Sequence, residues 1–364
     1  MKTRVAINGF GRIGRAAFKI AFERDDVEIV AINDLADAKM LAYLLLHDSV
    51  YGAWEHKVSS SESNLIVDEQ TIKVFNQPNP PQLPWADLGV DVVIEATGQF
   101  SEPQKAKMHL AAGAKKVIIS ASTPSEGATT IIVGVNEDQL KEADDCISTG
   151  GATSTCITPV LEILDQNFGV EKAMMTTVHS YTTEQKLIDG VAKDYREARA
   201  AAHNIVPLAN RTSKAAVQAF EKLNGRLENL SIKVPTLAVS LADFSVLLTK
   251  TVTAEEVNAA FKKAALEAYY QGILAVNDEG LVSSDFIGNS HSAIIDSQLT
   301  KVVGGNLVKV VAWFDNEWGY CNRLIELTVD VGKNLSASAQ TTPVASAPVP
   351  APEPIPAKIN VVQE

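Results

Sequence analysis

Three glycines, Gly9, Gly11 and Gly14, stand in the run N-G-F-G-R-I-G-R at residues 8–15. An apolar segment precedes them, an Ala/Phe/Ile-rich segment follows, and Asp34 lies 20 residues beyond Gly14. A lone G-x-G-x-x-G says little. Between a strand and a helix, with a carboxylate at the end of the next strand, it becomes the full dinucleotide-binding fingerprint. The glycines let backbone approach a pyrophosphate, and the helix N-terminus offers N–H groups and the positive end of its dipole. The carboxylate can take a ribose diol. A glycine-rich turn with no ligand is the weaker reading. Asp34 would repel a 2′-phosphate, so the expected cofactor is NAD rather than NADP.

A second stretch with chemical potential is I-S-T-G-G-A-T-S-T-C-I-T-P at residues 147–159. Ser148, Thr149 and the Gly150–Gly151 pair are turn and cap chemistry. Ile157, Val160, Leu161, Ile163 and Leu164 then repeat at helical spacing. A helix N-terminus facing a cleft is where an enzyme would place a low-pKa cysteine. Here the first turn carries Ala152, and the nearest thiol, Cys156, lies about one helical turn, ~5.4 Å, further along. Cys156 reads as a small buried hydrophobe.

The elements that must position these residues form two halves. The chain has 364 residues, enough for two domains that each bury a core. A hydrophobic share of 46%, a charged share of 21% and a mean hydropathy of +0.04 fit a soluble globular protein. No run of 18 apolar residues exists, no signal-type segment opens the sequence, and cytoplasmic localisation is expected. A net charge of −12 disfavours nucleic acid. Cys146, Cys156 and Cys321 are scattered, with neither disulfide nor zinc spacing, and no metal site is expected.

Strands are expected at residues 4–8, 27–32, 91–95 and 116–120, with a helix at 102–112 between the last two. Thr97, Gly98 and Ser120 end their strands with small residues, where parallel α/β sheets bind ligands. This is a Rossmann-type parallel α/β half of about 150 residues. The second half is β-rich at 170–179, 230–234, 244–250 and 307–314, without regular helical crossovers. It reads as an α+β unit with a mixed or antiparallel sheet and helices on one face, at 152–167, 212–223 and 254–270. An amphipathic helix returns at 316–331. Beyond residue 335, Pro343, Pro348, Pro350, Pro352, Pro354 and Pro356 make a disordered or polyproline tail, either a docking segment for a protein partner or a solubilising extension.

Set beside known proteins, the chain resembles the phosphorylating glyceraldehyde-3-phosphate dehydrogenase family, with erythrose-4-phosphate dehydrogenase a close relative. The resemblance spans residues 2–333. It rests on the glycine run at 8–15, A-A-G-A-K-K-V at 111–117, H-S-Y-T at 179–182 and R-A-A-A at 199–202. K-V-P-T at 233–236, H-S-A-I-I-D at 291–296 and W-F-D-N-E-W-G-Y at 313–320 complete it.

The resemblance implies a homotetrameric NAD enzyme in which a thiolate attacks an aldehyde, hydride passes to NAD and phosphate releases the thioester. It implies an NAD domain of residues 1–151 and 316–334, a catalytic domain of 152–315, and a tail of 335–364. Arg12, Ile13, Asp34, Ser120, Asn316 and Tyr320 match cofactor positions, and His179 matches the general base. Thr153 and Thr182 match substrate or phosphate positions. Lys233 stands where the family has arginine, keeping the charge but losing the two-pronged fork.

Two places depart from the pattern. The family's S-C-T-T-N-C aligns with residues 151–156, so Ala152 occupies the nucleophile's place. The phosphate loop T-S-T-G is replaced by Leu208, Ala209, Asn210 and Arg211, and Arg211 would bind an anion or fill the site. The expected protein keeps NAD but lacks thiol-dependent activity, as a pseudoenzyme, a regulatory protein or a partner in mixed tetramers with an active paralogue. The alternative is an active NAD-dependent aldehyde oxidoreductase of altered chemistry.

Overall fold

Unbroken apolar runs such as Val5-Ala6-Ile7 and Val92-Val93-Ile94 suit strands covered on both faces. In a computed structural model describing residues 2–123, 126–209 and 212–341, all six side chains are fully buried. They lie in the strands Thr3–Asn8 and Val92–Glu95, parallel neighbours in a nine-stranded sheet. From one edge, the order is Thr129–Thr130, Cys146–Ser148, Lys116–Ile119, Val92–Glu95, Thr3–Asn8, Val27–Asn33 and Gln70–Phe75, all parallel. Asn64–Val67 and Val58–Ser61 then extend the sheet antiparallel.

This last meander was not expected from the sequence. Its strands are short, and its buried residues Leu65, Val67, Ile72 and Val74 alternate with more exposed ones, Ile66 among them, across turns only two residues long. The expected helix at 102–112 is two turns instead, Pro103–Ala106 and Met108–Ala111. Around Lys107 the bonding tightens to three-residue spacing, as in Leu110 N–H to the Lys107 carbonyl, 3.0 Å.

The second half is an eight-stranded mixed sheet. Its main path runs Val206–Ala209, Leu227–Val234, Val170–Ser180, Ser240–Leu248, Leu307–Phe314, Ala293–Asp296 and Leu274–Asn277, with Lys301–Val303 pairing beside Leu307–Phe314. Val170–Ser180 is parallel to Leu227–Val234 and antiparallel to Ser240–Leu248. Along Ser240–Leu248 burial alternates strictly. Ala242, Phe244, Val246 and Leu248 face one core with Ile157, Leu161 and Leu164 of the helix Ala152–Phe168. The helices Thr212–Ala219 and Ala254–Ala265 flank that helix on the same side. The expected helices at 212–223 and 254–270 thus end earlier, each followed by a single 3₁₀ turn.

The returning helix spans Trp318–Thr341. It starts two residues later than expected because Asp315 Oδ1 accepts from the N–H groups of Glu317 and Trp318, both at 2.9 Å, an N-terminal cap. It also runs past residue 335, where the tail was expected to begin. Ser-Ala-Ser-Ala-Gln-Thr at 336–341 holds no proline and continues the helix, and the first tail proline is Pro343. The remainder of the expected tail, 342–364, lies outside the described residues. Tyr320, Cys321, Leu324, Ile325 and Val329 share a core with Ile7, Phe10 and Ala17 of the first half.

Among the described residues no helix is long and apolar enough to cross a membrane. If the last helix is integral to the first half's core, Leu324→Ala should cost about 2–5 kcal/mol in urea unfolding. A cost below about 0.5 kcal/mol, typical of a surface site, would contradict that packing.

Candidate active site

The three glycines have three different reasons to lack a side chain. Gly9 sits at φ +93°, and a Cβ there would lie 2.6 Å from the backbone nitrogen of Thr97. At Gly14 a Cβ would fall 2.0 Å from the Gly9 carbonyl oxygen, so helix and strand could not close. Around Gly11 there is open space within 4 Å. Gly11 is also the N-cap of the helix Arg12–Phe22 and provides no side-chain cap, which leaves its first N–H groups to a ligand. Two glycines build the turn, and the third keeps it open to an anion.

Asp34 closes the far side. Its carboxylate accepts from the N–H of Phe10 at 2.7 Å and of Ala36 at 3.0 Å, one on each oxygen. Each oxygen keeps a lone pair for a ribose hydroxyl. Thr97 and Gly98 follow the strand Val92–Glu95, and Ser120 Oγ donates to the Glu95 carbonyl at 2.9 Å. These residues therefore gather at the carboxyl ends of adjacent parallel strands, where doubly wound sheets bind ligands.

The side chain of Arg12 is committed within the protein. Its guanidinium is bound by both Glu317 oxygens, with contacts of 2.5–3.0 Å, and by Asp48 at 2.7 Å. Burial works against the charge, but the two carboxylates outweigh it and raise the pKa. With the side chain so occupied, the group free for a ligand is its backbone at the helix start. Its neighbour Ile13 lines the same cleft.

Tyr320, the other matched position, has its hydroxyl bonded within the protein. It is buried, its hydroxyl shared with Thr149 Oγ1 at 2.5 Å and donated to the Gly150 carbonyl at 3.2 Å. It anchors the turn that starts the next helix. In that turn Ser154 Oγ accepts from the Gly151 N–H and donates to the Gly151 carbonyl, both at 2.8 Å. Ala152 is the first residue of the helix Ala152–Phe168, partly exposed at the cleft wall, with Thr153 beside it. Cys156 is fully buried, and burial pushes its thiol well above the ordinary range.

A cleft of about 1080 Å³ brings Arg12, Ile13, Ala152, Thr153, His179, Thr182, Lys233 and Asn316 together. His179 and Lys233 are register partners on parallel strands. His179 Nδ1 lies 3.0 Å from Ser240 Oγ, and Ser240 Oγ in turn reaches Asn316 Oδ1 at 3.4 Å. Because Ser240 donates to that oxygen, His179 Nδ1–H is the donor to Ser240 and Nε2 keeps its lone pair. Burial, helped by the charge of Lys233, lowers the His179 pKa to about 4, so the ring is neutral near pH 7. Burial also lowers the Lys233 pKa, with Glu184 and Glu197 pulling it back. Lys233 Nζ donates to Thr182 Oγ1 at 3.1 Å, a paired cation and hydroxyl suited to an anion. Arg211 lies outside the described residues, while Leu208 from the same loop lines the cleft.

Ser240, Glu317 and Asp48 were missed by sequence reasoning, and Thr149 was read as turn chemistry without its partner Tyr320. Glu317 had a signal, since it directly follows Asn316 in the W-F-D-N-E motif. Ser240 had none, lying 61 residues from His179. Among the described residues no group of His, Cys, Asp or Glu is arranged to hold a metal.

A glycine turn at the strand ends, an acid for a ribose and a facing cleft with a neutral imidazole define a two-domain NAD-binding dehydrogenase. Residues 3–103 match the glyceraldehyde 3-phosphate dehydrogenase NAD binding domain, and residues 151–316 match the C-terminal domain of the same enzyme. The Thermotoga maritima glyceraldehyde-3-phosphate dehydrogenase is 50% identical over 325 residues, covering 89% of this chain and 97% of that protein. The Streptomyces coelicolor enzyme is 47% identical over 337 residues, 92% of this chain and all of the relative. Bacillus subtilis glyceraldehyde-3-phosphate dehydrogenase 1 is 47% identical over 334 residues, 92% and 99% of the two chains. The chain belongs to the glyceraldehyde-3-phosphate dehydrogenase family, and its cofactor is NAD.

The glycine geometry separates binding from folding. Gly11→Val should leave the melting temperature in place and weaken NAD by more than about tenfold, whereas Gly14→Val should lower stability by about 1–3 kcal/mol or more. Equal effects at both positions would contradict the assignment. For His179 the unfolded pKa is near 6.5 and the folded value about 4. The unfolded state therefore binds more protons between those values, and stability falls as pH drops from 6.5 to 4. NMR titration of the ring should show its midpoint near pH 4, and His179→Asn should flatten that part of the stability profile. A midpoint near 6.5 would remove the argument for a neutral base.

Proposed function

We propose that this protein binds NAD but lacks the thiol-dependent, phosphorylating dehydrogenase activity associated with its family. It would then act as a regulatory protein or as a subunit of a tetramer, either of identical chains or mixed with an active paralogue. One observation carries the reading: Ala152 occupies the first turn of the cleft helix, and all three cysteines of the chain are buried. Reactive cysteines are accessible and have lowered pKa values, whereas burial raises those of Cys146, Cys156 and Cys321. Without a thiolate at position 152 no thioester forms, and His179 has no thiol to activate.

The rest of the cleft supports retention of binding. Lys233, Thr182 and Thr153 remain placed to hold a phosphate or other anion, and the NAD turn is open at Gly11. Large exposed apolar side chains, including Leu187, Ile188, Val191 and Tyr195, support assembly into an oligomer. The domain limits of 1–151 with 316–334 and 152–315 belong to the same reading. The Pro-rich tail, from about residue 342 onward, is the segment proposed to contact a protein partner.

A second reading is an active NAD-dependent aldehyde oxidoreductase on glyceraldehyde-3-phosphate or a related sugar phosphate. The neutral His179, with its Nε2 lone pair free, favours it as a base for a substrate hydroxyl.

NAD titration followed by an assay with glyceraldehyde-3-phosphate, phosphate and NAD decides between them. Saturable NAD binding is expected, with turnover lower than that of the active relatives by a factor on the order of 10⁶. Ala152→Cys should restore only part of the rate, because the loop at 208–211 differs from the family pattern. Robust turnover of the unmodified chain that iodoacetamide abolishes would overturn the first reading, and iodoacetamide-resistant turnover would establish the second.

A further inference from the structure

Beneath the glycine turn lies a buried polar chain that the residues assigned above do not account for. Glu95 ends the strand Val92–Glu95 with its side chain 1% exposed, and its only ionisable partner among the described residues is His109, which is fully buried. Buried carboxylates are costly unless every lone pair is used. Here one oxygen accepts from Asn8 Nδ2 at 2.6 Å and faces His109 Nε2 at 3.2 Å. The other accepts from the Thr97 N–H at 2.8 Å and from the Thr97 hydroxyl.

The direction of the chain is fixed at its far end. Trp85 Nε1 has only a proton to give, and it lies 3.0 Å from His109 Nδ1. His109 Nδ1 is therefore the acceptor, and Nε2–H points to Glu95. At the near end Asn33 Nδ2 donates to Asn8 Oδ1 at 2.7 Å, and the Gln77 N–H donates to Asn33 Oδ1 at 2.9 Å. A continuous set of hydrogen bonds thus crosses the carboxyl ends of the strands Thr3–Asn8, Val27–Asn33 and Val92–Glu95.

Its two outlets hold the glycine turn between them. The Gly9 N–H donates to the Asn33 carbonyl at 2.8 Å, and Gly9 Cα packs directly on the backbone of Ala96 and Thr97. We infer that Glu95, oriented by Asn8 and by the Trp85–His109 pair, is a positioning residue for NAD: its carboxylate sets the Thr97–Gly98 turn against Gly9 and so fixes the backbone surface that the dinucleotide meets. The inference rests on the NAD site and not on the fate of the thiol chemistry.

The test is NAD titration by calorimetry, with the unmodified chain establishing binding first and melting temperatures as the fold control. In E95Q the amide N–H meets a donor whichever way it is turned, Asn8 Nδ2 and His109 Nε2 on one side or the Thr97 N–H on the other, so NAD affinity should fall by more than about tenfold. The double variant N8D/E95Q exchanges the two groups. The carboxylate introduced at position 8 can accept from Asn33, from His109 and from the amide introduced at position 95. The oxygen of that amide accepts from Thr97, so affinity should return to within about threefold of the original. A merely structural effect would not be rescued by that exchange. If E95Q does not fold, His109→Leu and His109→Gln replace it: a glutamine side chain can both accept from Trp85 and donate to Glu95, so that variant should bind NAD more tightly than the leucine one. E95Q binding NAD like the unmodified chain, a double variant as weak as E95Q, or equal affinity of His109→Leu and His109→Gln would overturn the inference.

Discussion

The hydroxyl of Tyr320 against Thr149 Oγ1, 2.5 Å apart and buried, is the contact on which the cleft depends. Tyr320 belongs to the helix Trp318–Thr341, which packs in the core of the first half. Thr149 precedes the Gly150–Gly151 turn from which the helix Ala152–Phe168 enters the core of the second half. A buried hydroxyl pair is worth keeping only if both members are satisfied; here one hydroxyl donates across the pair and the other donates to a backbone carbonyl, Gly150 when Thr149 donates to Tyr320 and Ile119 when Tyr320 donates to Thr149. The link fixes where Ala152 stands relative to the NAD turn. Any chemistry at that position inherits this geometry, whichever side chain occupies it.

Charge is arranged around the same constraint. Arg12 is neutralised by Asp48 and Glu317, and Asp315 caps the final helix while accepting from Tyr51 Oη at 2.9 Å. These groups tie the loop at 48–51, the first helix and the last helix into one wall of the cleft. On the opposite wall burial weakens both cationic forms, His179 and Lys233, which stand side by side as register neighbours on adjacent parallel strands. An anion entering between the helix N-terminus at Ala152 and Lys233 would be held from both sides. A binding site of this kind does not require a nucleophile, so Ala152 at the first turn of the helix is compatible with keeping the rest.

What could be read from the sequence was local. Gly9, Gly11, Gly14 and Asp34 fall within one βαβ unit, so spacing alone singled them out; the structure gives each glycine a distinct steric role and Asp34 two backbone hydrogen bonds. The strand Leu307–Phe314 was legible because its apolar run is long and bounded by Gly304-Gly305 and Asp315. The illegible parts are contacts between residues far apart in the chain. Arg12 reaches Glu317 across 305 positions, and Asn8 reaches Glu95 across 87. The hydroxyl of Tyr320 is committed to Thr149, a pairing that no periodicity encodes. Helix ends failed for a different reason: a serine/alanine run looks like the beginning of a tail until the helix before it is seen to continue through it.

Intact-protein mass spectrometry tests most directly whether this chain can carry a covalent intermediate. The protein would be incubated with glyceraldehyde-3-phosphate and NAD, without phosphate, so that any thioester formed would accumulate on its cysteine. With Ala152 in the cleft and Cys146, Cys156 and Cys321 buried, the mass is expected to remain that of the unmodified chain. An acyl adduct that disappears on adding phosphate and maps to Cys156 would contradict that expectation.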